Sequence, residues 1–314
     1  MKSRAVVNFG SQKTGMYFAC GNRMIRLNTS ILDEAQRGWH GGLELALDRR
    51  GGRNRVAQVK HWGPLRIQRP FYPQGPDGEC HLYLLHPPGG MVTGDRLDIA
   101  MTLSSGAHGL LTTPSAGKLY RGNDSAVSQV QSVVARVQGD SFLEWLPQET
   151  IVFDGARGES NVRVELDGNA RCAVWDMVCL GRPASGESFT RGYLRQGLAL
   201  YRDGEPLYLE RNDLGGGGEL LNAPWGLDGC SVSGTFLLTL GLDRNRLGDL
   251  REELKARVLL LGGRVAVSDL GGLVAIRYLG KSAAHGRSLF ICAWRRLRPM
   301  LAGVEAVEPR IWHT

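Results

Sequence analysis

No stretch of the 314 residues approaches the roughly 18 consecutive apolar residues of a membrane-spanning helix, which excludes an integral helical membrane protein. Cysteine is sparse and scattered: Cys20, Cys80, Cys172, Cys179, Cys230 and Cys292 include no Cys-x-x-Cys pair. That pattern reads as reduced thiols in a cytoplasmic protein rather than a disulfide framework. The opening residues, MKSRAVVNFGSQKTGMYFAC, lack the sustained apolar core of a secretory signal. A basic stripe interleaved with aromatic platforms is also missing, so nucleic acid is not an expected partner, and neither is a membrane. The phosphate-loop pattern is absent, since SAGKLY lacks its first glycine and its hydroxyl, and GCSVSG has the wrong spacing for a nucleophile elbow. His-Glu-x-x-His and Gly-x-Gly-x-x-Gly do not occur either. No familiar nucleotide-binding or hydrolytic machinery is legible.

What is present is a mild positive charge, formally +7, and a change of character along the chain. Residues 1–36 carry Lys2, Arg4, Lys13, Arg23 and Arg26 against Asp33 and Glu34, show no periodicity, and are expected to form a flexible extension. From Gly38 onward, short alternating segments such as LELAL, RVAQVKHWG and LRIQRPF are divided by Gly, Pro and Asp. This is the pattern of β-strands, with DRRGGRN as a hairpin turn. TLSSGAHGLLTTP, RVQGDSFLEWLP and ELDGNARCAVWDM each run strand, glycine turn, strand, with Gly106, Gly139 and Gly168 in corresponding positions. Such an echo predicts stacked layers of sheet. Near the end, Leu247, Leu250, Leu254, Val258 and Leu261 recur at helical spacing before Gly262. RVAVSDLGGLVAIRYLG then reads as a hairpin and RSLFICAWRRLRPML as a second amphipathic helix. The expected fold is mainly β, with layered, helix-like stacked sheets over residues 37–243. A small C-terminal α/β subdomain with two helices is expected over residues 244–314.

The segment CHLYLLHPPGGMVTGDRL gathers soft ligand types, yet strand alternation puts Cys80 and His86 on one face and His81 on the other. A closed zinc site needs about four converging ligands, and no second pair is available. More unusual are carboxylates inside apolar strands: Glu144 in SFLEWLP, Asp176 in AVWDMVC and Glu210 in PLYLER. A buried carboxylate costs several kcal/mol unless it is paired, hydrogen-bonded or wetted. Each one alone is best explained by an arginine partner. Together they suggest an interior polar feature.

GWHGGLELAL, GPLRIQRPFYP, CHLYLLHPPGGMVTGDRLDI, LLTTPSAGKLYR, LEWLPQETIVFDGA, WDMVCLGRPASGE and the terminal PRIWHT occur in this order. The series resembles the signature blocks of the urease accessory protein UreD (UreH) family, from Gly38 to Thr314. The resemblance implies a protein that is not an enzyme but a nickel metallochaperone scaffold. It would bind apo-urease and UreF, recruit the GTPase UreG through UreF, and help deliver Ni2+ to the urease active site. GTP would be consumed by UreG, and no cofactor would be stably held. The accessory complex would be a dimer of heteromers. Family members are thought to pass nickel along an internal acidic tunnel, and the motifs put Asp95, Asp176 and Glu210 on that path. Glu144 is added on the strand argument alone. The competing reading is a stand-alone β-solenoid hydrolase or lyase using a carboxylate pair such as Glu144 and Glu149. A stable metalloprotein is the third.

Overall fold

The computed structural model describes residues 17–20, 23–26, 38–123 and 127–313. Residues 1–37 form one unit, in which β1 (Tyr17–Cys20) and β2 (Arg23–Arg26) pair antiparallel, and residues 38–314 form the other. Apart from that ladder, the extension expected to be flexible lies outside the described residues.

The larger unit starts with the expected hairpin, β3 (His40–Arg50) and β4 (Arg53–Trp62). Its turn runs through Gly51 and Gly52 at φ of 56° and 81°, a region that side-chain-bearing residues enter only at a cost. After β5 (Arg66–Ile67) and β6 (Cys80–Leu85) comes the repeating device. Its first turn is β7 (Arg96–Leu103) and β8 (His108–Thr112), followed by short β9 (Gly117–Leu119). The second is β10 (Gln129–Val137) and β11 (Phe142–Trp145), followed by β12 (Thr150–Val152). The third is β13 (Arg157–Leu166) and β14 (Arg171–Leu180).

The three units stack in register. β7, β10 and β13 pair in parallel in one sheet, while β8, β11 and β14 pair in parallel in another. Gly106, Gly139 and Gly168 occupy the three turns, which bond to one another: Gly106 N donates to Gly139 O at 3.3 Å, and Asp140 N donates to Asn169 Oδ1 at 2.9 Å. The sequence echo is therefore a physical stack of layers.

β15 (Tyr193–Arg202) adds a further parallel strand and β16 (Glu205–Gly215) returns along it as the sheet edge. The order in this seven-stranded sheet is β16-β15-β13-β10-β7-β3-β4. The chain then forms α1 (Glu219–Asn222), β17 (Val232–Leu238), α2 (Arg244–Leu261), β18 (Arg264–Asp269), β19 (Val274–Gly280) and α3 (Ala283–Ala302). β17, β19 and β18 continue the second sheet beyond β14, giving ten strands in all.

Alternation decides what goes inside. On β13 the residues Gly158, Ser160, Val162, Val164 and Leu166 turn inward while their neighbours stay partly or fully exposed. The inward faces of both sheets form one apolar core, with Leu43, Leu103, Val137 and Leu198 among its members. A second core lies between the outer face of the ten-stranded sheet and the helices. Helix α2 starts at Asp243, whose side chain accepts from Arg246 N, and ends at Gly262 as its stripe predicts. Leu250, Leu254 and Val258 are buried by that stripe. Helix α3 buries Leu289, Phe290, Ala293, Trp294, Leu297 and Leu301 at three- and four-residue spacing. Strand β14 is covered on both sides, which is why RCAVWDMVCL is apolar nearly throughout.

Candidate functional site

The parity of β14 fixes the direction of Asp176. Cys172, Val174, Val178 and Leu180 belong to the core between the sheets, whereas Ala173, Trp175, Met177 and Cys179 face the helices. Asp176 has the first parity and lies buried between the sheets. Its register partner on β17 is Thr235, whose partner on β19 is Arg277. Three adjacent strands thus hold an acid, a hydroxyl and a guanidinium in one row.

The opposite sheet supplies the rest. Gln196 on β15 pairs in register with Asn212 on β16, and Leu198 with Glu210. Gln196 Nε2 donates to Asp176 Oδ2 at 2.8 Å, and Asn212 Nδ2 donates to Gln196 Oε1 at 3.3 Å and to Glu210 Oε1 at 3.0 Å. Thr235 Oγ1 lies 3.0 Å from Glu210 Oε2, and the Tyr208 hydroxyl donates to that same oxygen. Arg277 Nη2 donates to Tyr208 Oη at 2.9 Å. A line of hydrogen bonds therefore runs from Asp176 through two carboxamides to Glu210 and ends at Arg277.

Its electrostatics are uneven. Burial is the main influence on Asp176 and pushes its carboxyl up; Gln196 opposes this, and the nearby Glu210 carboxylate adds to the rise. Burial, then the hydrogen bond to Glu210, push the Tyr208 phenol up to about 12, so it stays a donor. On the Asp176 side a cavity of about 370 Å³ is lined by both sheets, with Leu97, Ile99 and Val162 as apolar walls and Gln131, Ser160 and His86 as polar points. On the Glu210 side a pocket of about 550 Å³ is lined by Thr235, Arg264 and Arg277. The bonded line joins the two spaces.

Two of the four carboxylates read from sequence are thus brought together, and two are not. Asp95 Oδ1 accepts from Trp39 N at 2.7 Å and Oδ2 from Val92 N at 2.8 Å, so it holds the turn that precedes β7. It also lies near His86, raising a pKa that burial lowers. Glu144 points the other way, to the helix side. There it accepts from Trp294 Nε1 at 2.6 Å and from Arg298 Nε at 3.1 Å, while His108 Nε2 lies 2.8 Å away. Burial would raise this carboxyl, but His108 and Arg298 outweigh it and hold it at about 2. Glu144 has the arginine that the strand argument called for. Glu149 is matched separately, to Arg287 Nη1 at 2.8 Å, so the carboxylate pair imagined for a hydrolase is divided between two arginines.

Cys80 and His81 face opposite ways, as alternation predicts. Cys80 sits in the inter-sheet core with its thiol pushed up to about 11 by burial. His81 bonds Glu79 at 3.1 Å on the helix side. Among the described residues, no three His, Cys, Asp or Glu side chains converge as a metal-holding group. The same residues include no helix long and apolar enough to cross a membrane. Sequence reading missed Gln196, Tyr208, Asn212, Thr235 and Arg277, which carry no mark until the register is known.

The model of a protein family described as UreD urease accessory protein matches residues 40–313. A relative from Saccharophagus degradans named Urease accessory protein UreD is 44% identical over 278 residues, covering 88% of this chain and 94% of the relative. One of the same name from Pseudomonas fluorescens Pf-5 is 45% identical over 278 residues, covering 88% and 95%. Another, from Marinobacter nauticus, is 44% identical over 288 residues, covering 90% and 95%.

Proposed function

The chain belongs to the UreD urease accessory protein family, and on that premise we propose that it is a non-enzymatic scaffold through which Ni2+ is delivered to apo-urease. In this reading it binds apo-urease and UreF. UreF brings UreG, which consumes the GTP, and the accessory complex is a dimer of heteromers in the cytoplasm. Nickel is cargo rather than a resident cofactor.

The observation that carries the proposal is the bonded line from Asp176 to Glu210, with a cavity at one end and an open pocket at the other. Carboxylate, carboxamide and hydroxyl oxygens hold Ni2+ less tightly than thiolate or imidazole would, so an ion can be handed on rather than stored. Asp176 and Glu210 are the two carboxyl groups of the path. Asp95 stands beside His86, which lines the cavity, and would influence that end through its charge. Glu144 takes no direct part, because its oxygens face the helices and are taken up by Trp294 and Arg298.

Co-production of the tagged chain with UreF, UreG and apo-urease tests the scaffold reading. Recovery of UreF and urease on the tagged chain is the expected result. A chain that retains none of them contradicts it.

A further inference from the structure

Arg277 stands out among the groups of the Glu210 pocket. It lies on β19, exposed overall, yet its parity turns it to the inter-sheet side, in the row with Thr235 and Asp176. Its guanidinium donates to the Tyr208 hydroxyl at 2.9 Å, lies 5.7 Å from the centre of that ring, and interacts electrostatically with Glu210. The other cation lining this pocket, Arg264, is committed to Asp228. Arg277 has no carboxylate of its own within ion-pair distance among the described residues. Its positive charge therefore sits on the solvent side of the one carboxylate there, held by a phenol that bonds the same carboxylate.

We propose that Arg277 is a positioning residue that latches the Glu210 end of the path, repelling a divalent cation until its guanidinium swings off Tyr208. The proposal rests on Asp176 and Glu210 carrying nickel. A cation approaching Glu210 through this open pocket must come close to a fixed positive charge, and at low salt the repulsion between the two reaches across the pocket mouth before mobile ions screen it. Releasing the latch breaks one hydrogen bond to a neutral phenol rather than a buried ion pair, so the device opens at small cost. Tyr208 is the catch: without its hydroxyl the guanidinium loses the hydrogen bond that ties it to the phenol bonded to Glu210.

The test is the rate of Ni2+ capture by the full-length protein, followed by competition with a coloured chelator at low and high salt. Arg277→Met is expected to speed capture by about tenfold or more at low salt, within the range by which local fields change association rates. High salt should shrink that difference. Arg277→Lys, which keeps the charge, should restore most of the slow rate, and Tyr208→Phe should fall between Arg277→Met and the native chain. A residue that only braced the sheet would not separate Met from Lys in a salt-dependent way. Equal rates for native, Arg277→Met and Tyr208→Phe, with capture still lost in Asp176→Asn, would overturn the latch and leave the path standing. Capture indifferent to Asp176→Asn and Glu210→Gln would overturn both.

Discussion

The Arg298 guanidinium and the Glu144 carboxylate, both fully buried, lie 3.1 Å apart and join helix α3 to strand β11. Trp294, one turn earlier on α3, donates to the same carboxylate, and Arg298 also donates to the carbonyls of Val304 and Glu305. The pair is thus a structural pin between the ten-stranded sheet, the helix and the segment after it. Breaking one partner takes the main countercharge from a buried group, leaving Arg298 only Glu79 at 3.3 Å or Glu144 only His108 at 2.8 Å. Arg298→Met or Glu144→Gln should each destabilise the fold by about 3–5 kcal/mol, read from denaturant midpoints. The combination Glu144→Leu with Arg298→Met should cost less than the two single losses summed.

The same pair sets an acid limit. Glu144 falls from an ordinary value of 4.5 to about 2 in the folded protein, so its contribution is full above the ordinary value. It is lost as the pH falls from there through about 2. Melting temperature should drop across that window in the native chain, and the drop should be shallower in Glu144→Gln.

Asp176 has the opposite sign. Its carboxyl is raised in the fold, chiefly by burial, so it gives up its proton less readily folded than unfolded, and folding loses stability as the pH rises above the ordinary carboxylate range. Asp176→Asn should therefore melt at a higher temperature than the native chain at neutral pH. The difference should disappear below the ordinary carboxylate range, where both side chains are neutral. A lower melting temperature for Asp176→Asn at neutral pH would show that the bond from Gln196 needs the charge.

Much of this was legible in the residues. The glycines at 106, 139 and 168 announced the stack because a turn between apolar strands leaves a local mark. The helix stripes, the Gly51–Gly52 hairpin and the odd carboxylates in apolar strands were legible for the same reason. Alternation showed that Asp176 and Glu144 each share a face with apolar residues, but not which face meets the other sheet and which meets the helices. That depends on where α2 and α3 pack. The partners were hidden by distance along the chain: Arg298 is 154 residues from Glu144, and Arg277 is 69 from Tyr208. Gln196, Asn212 and Thr235 are ordinary polar residues until strand pairing aligns them.

The most direct measurement is the nickel content of urease matured with Asp176→Asn in place of the native chain, beside the recovery of the accessory assembly. The expected result is an assembly recovered at native yield with urease that holds little nickel and shows little activity. Urease loaded with nickel to the native level by Asp176→Asn would contradict the path through Asp176.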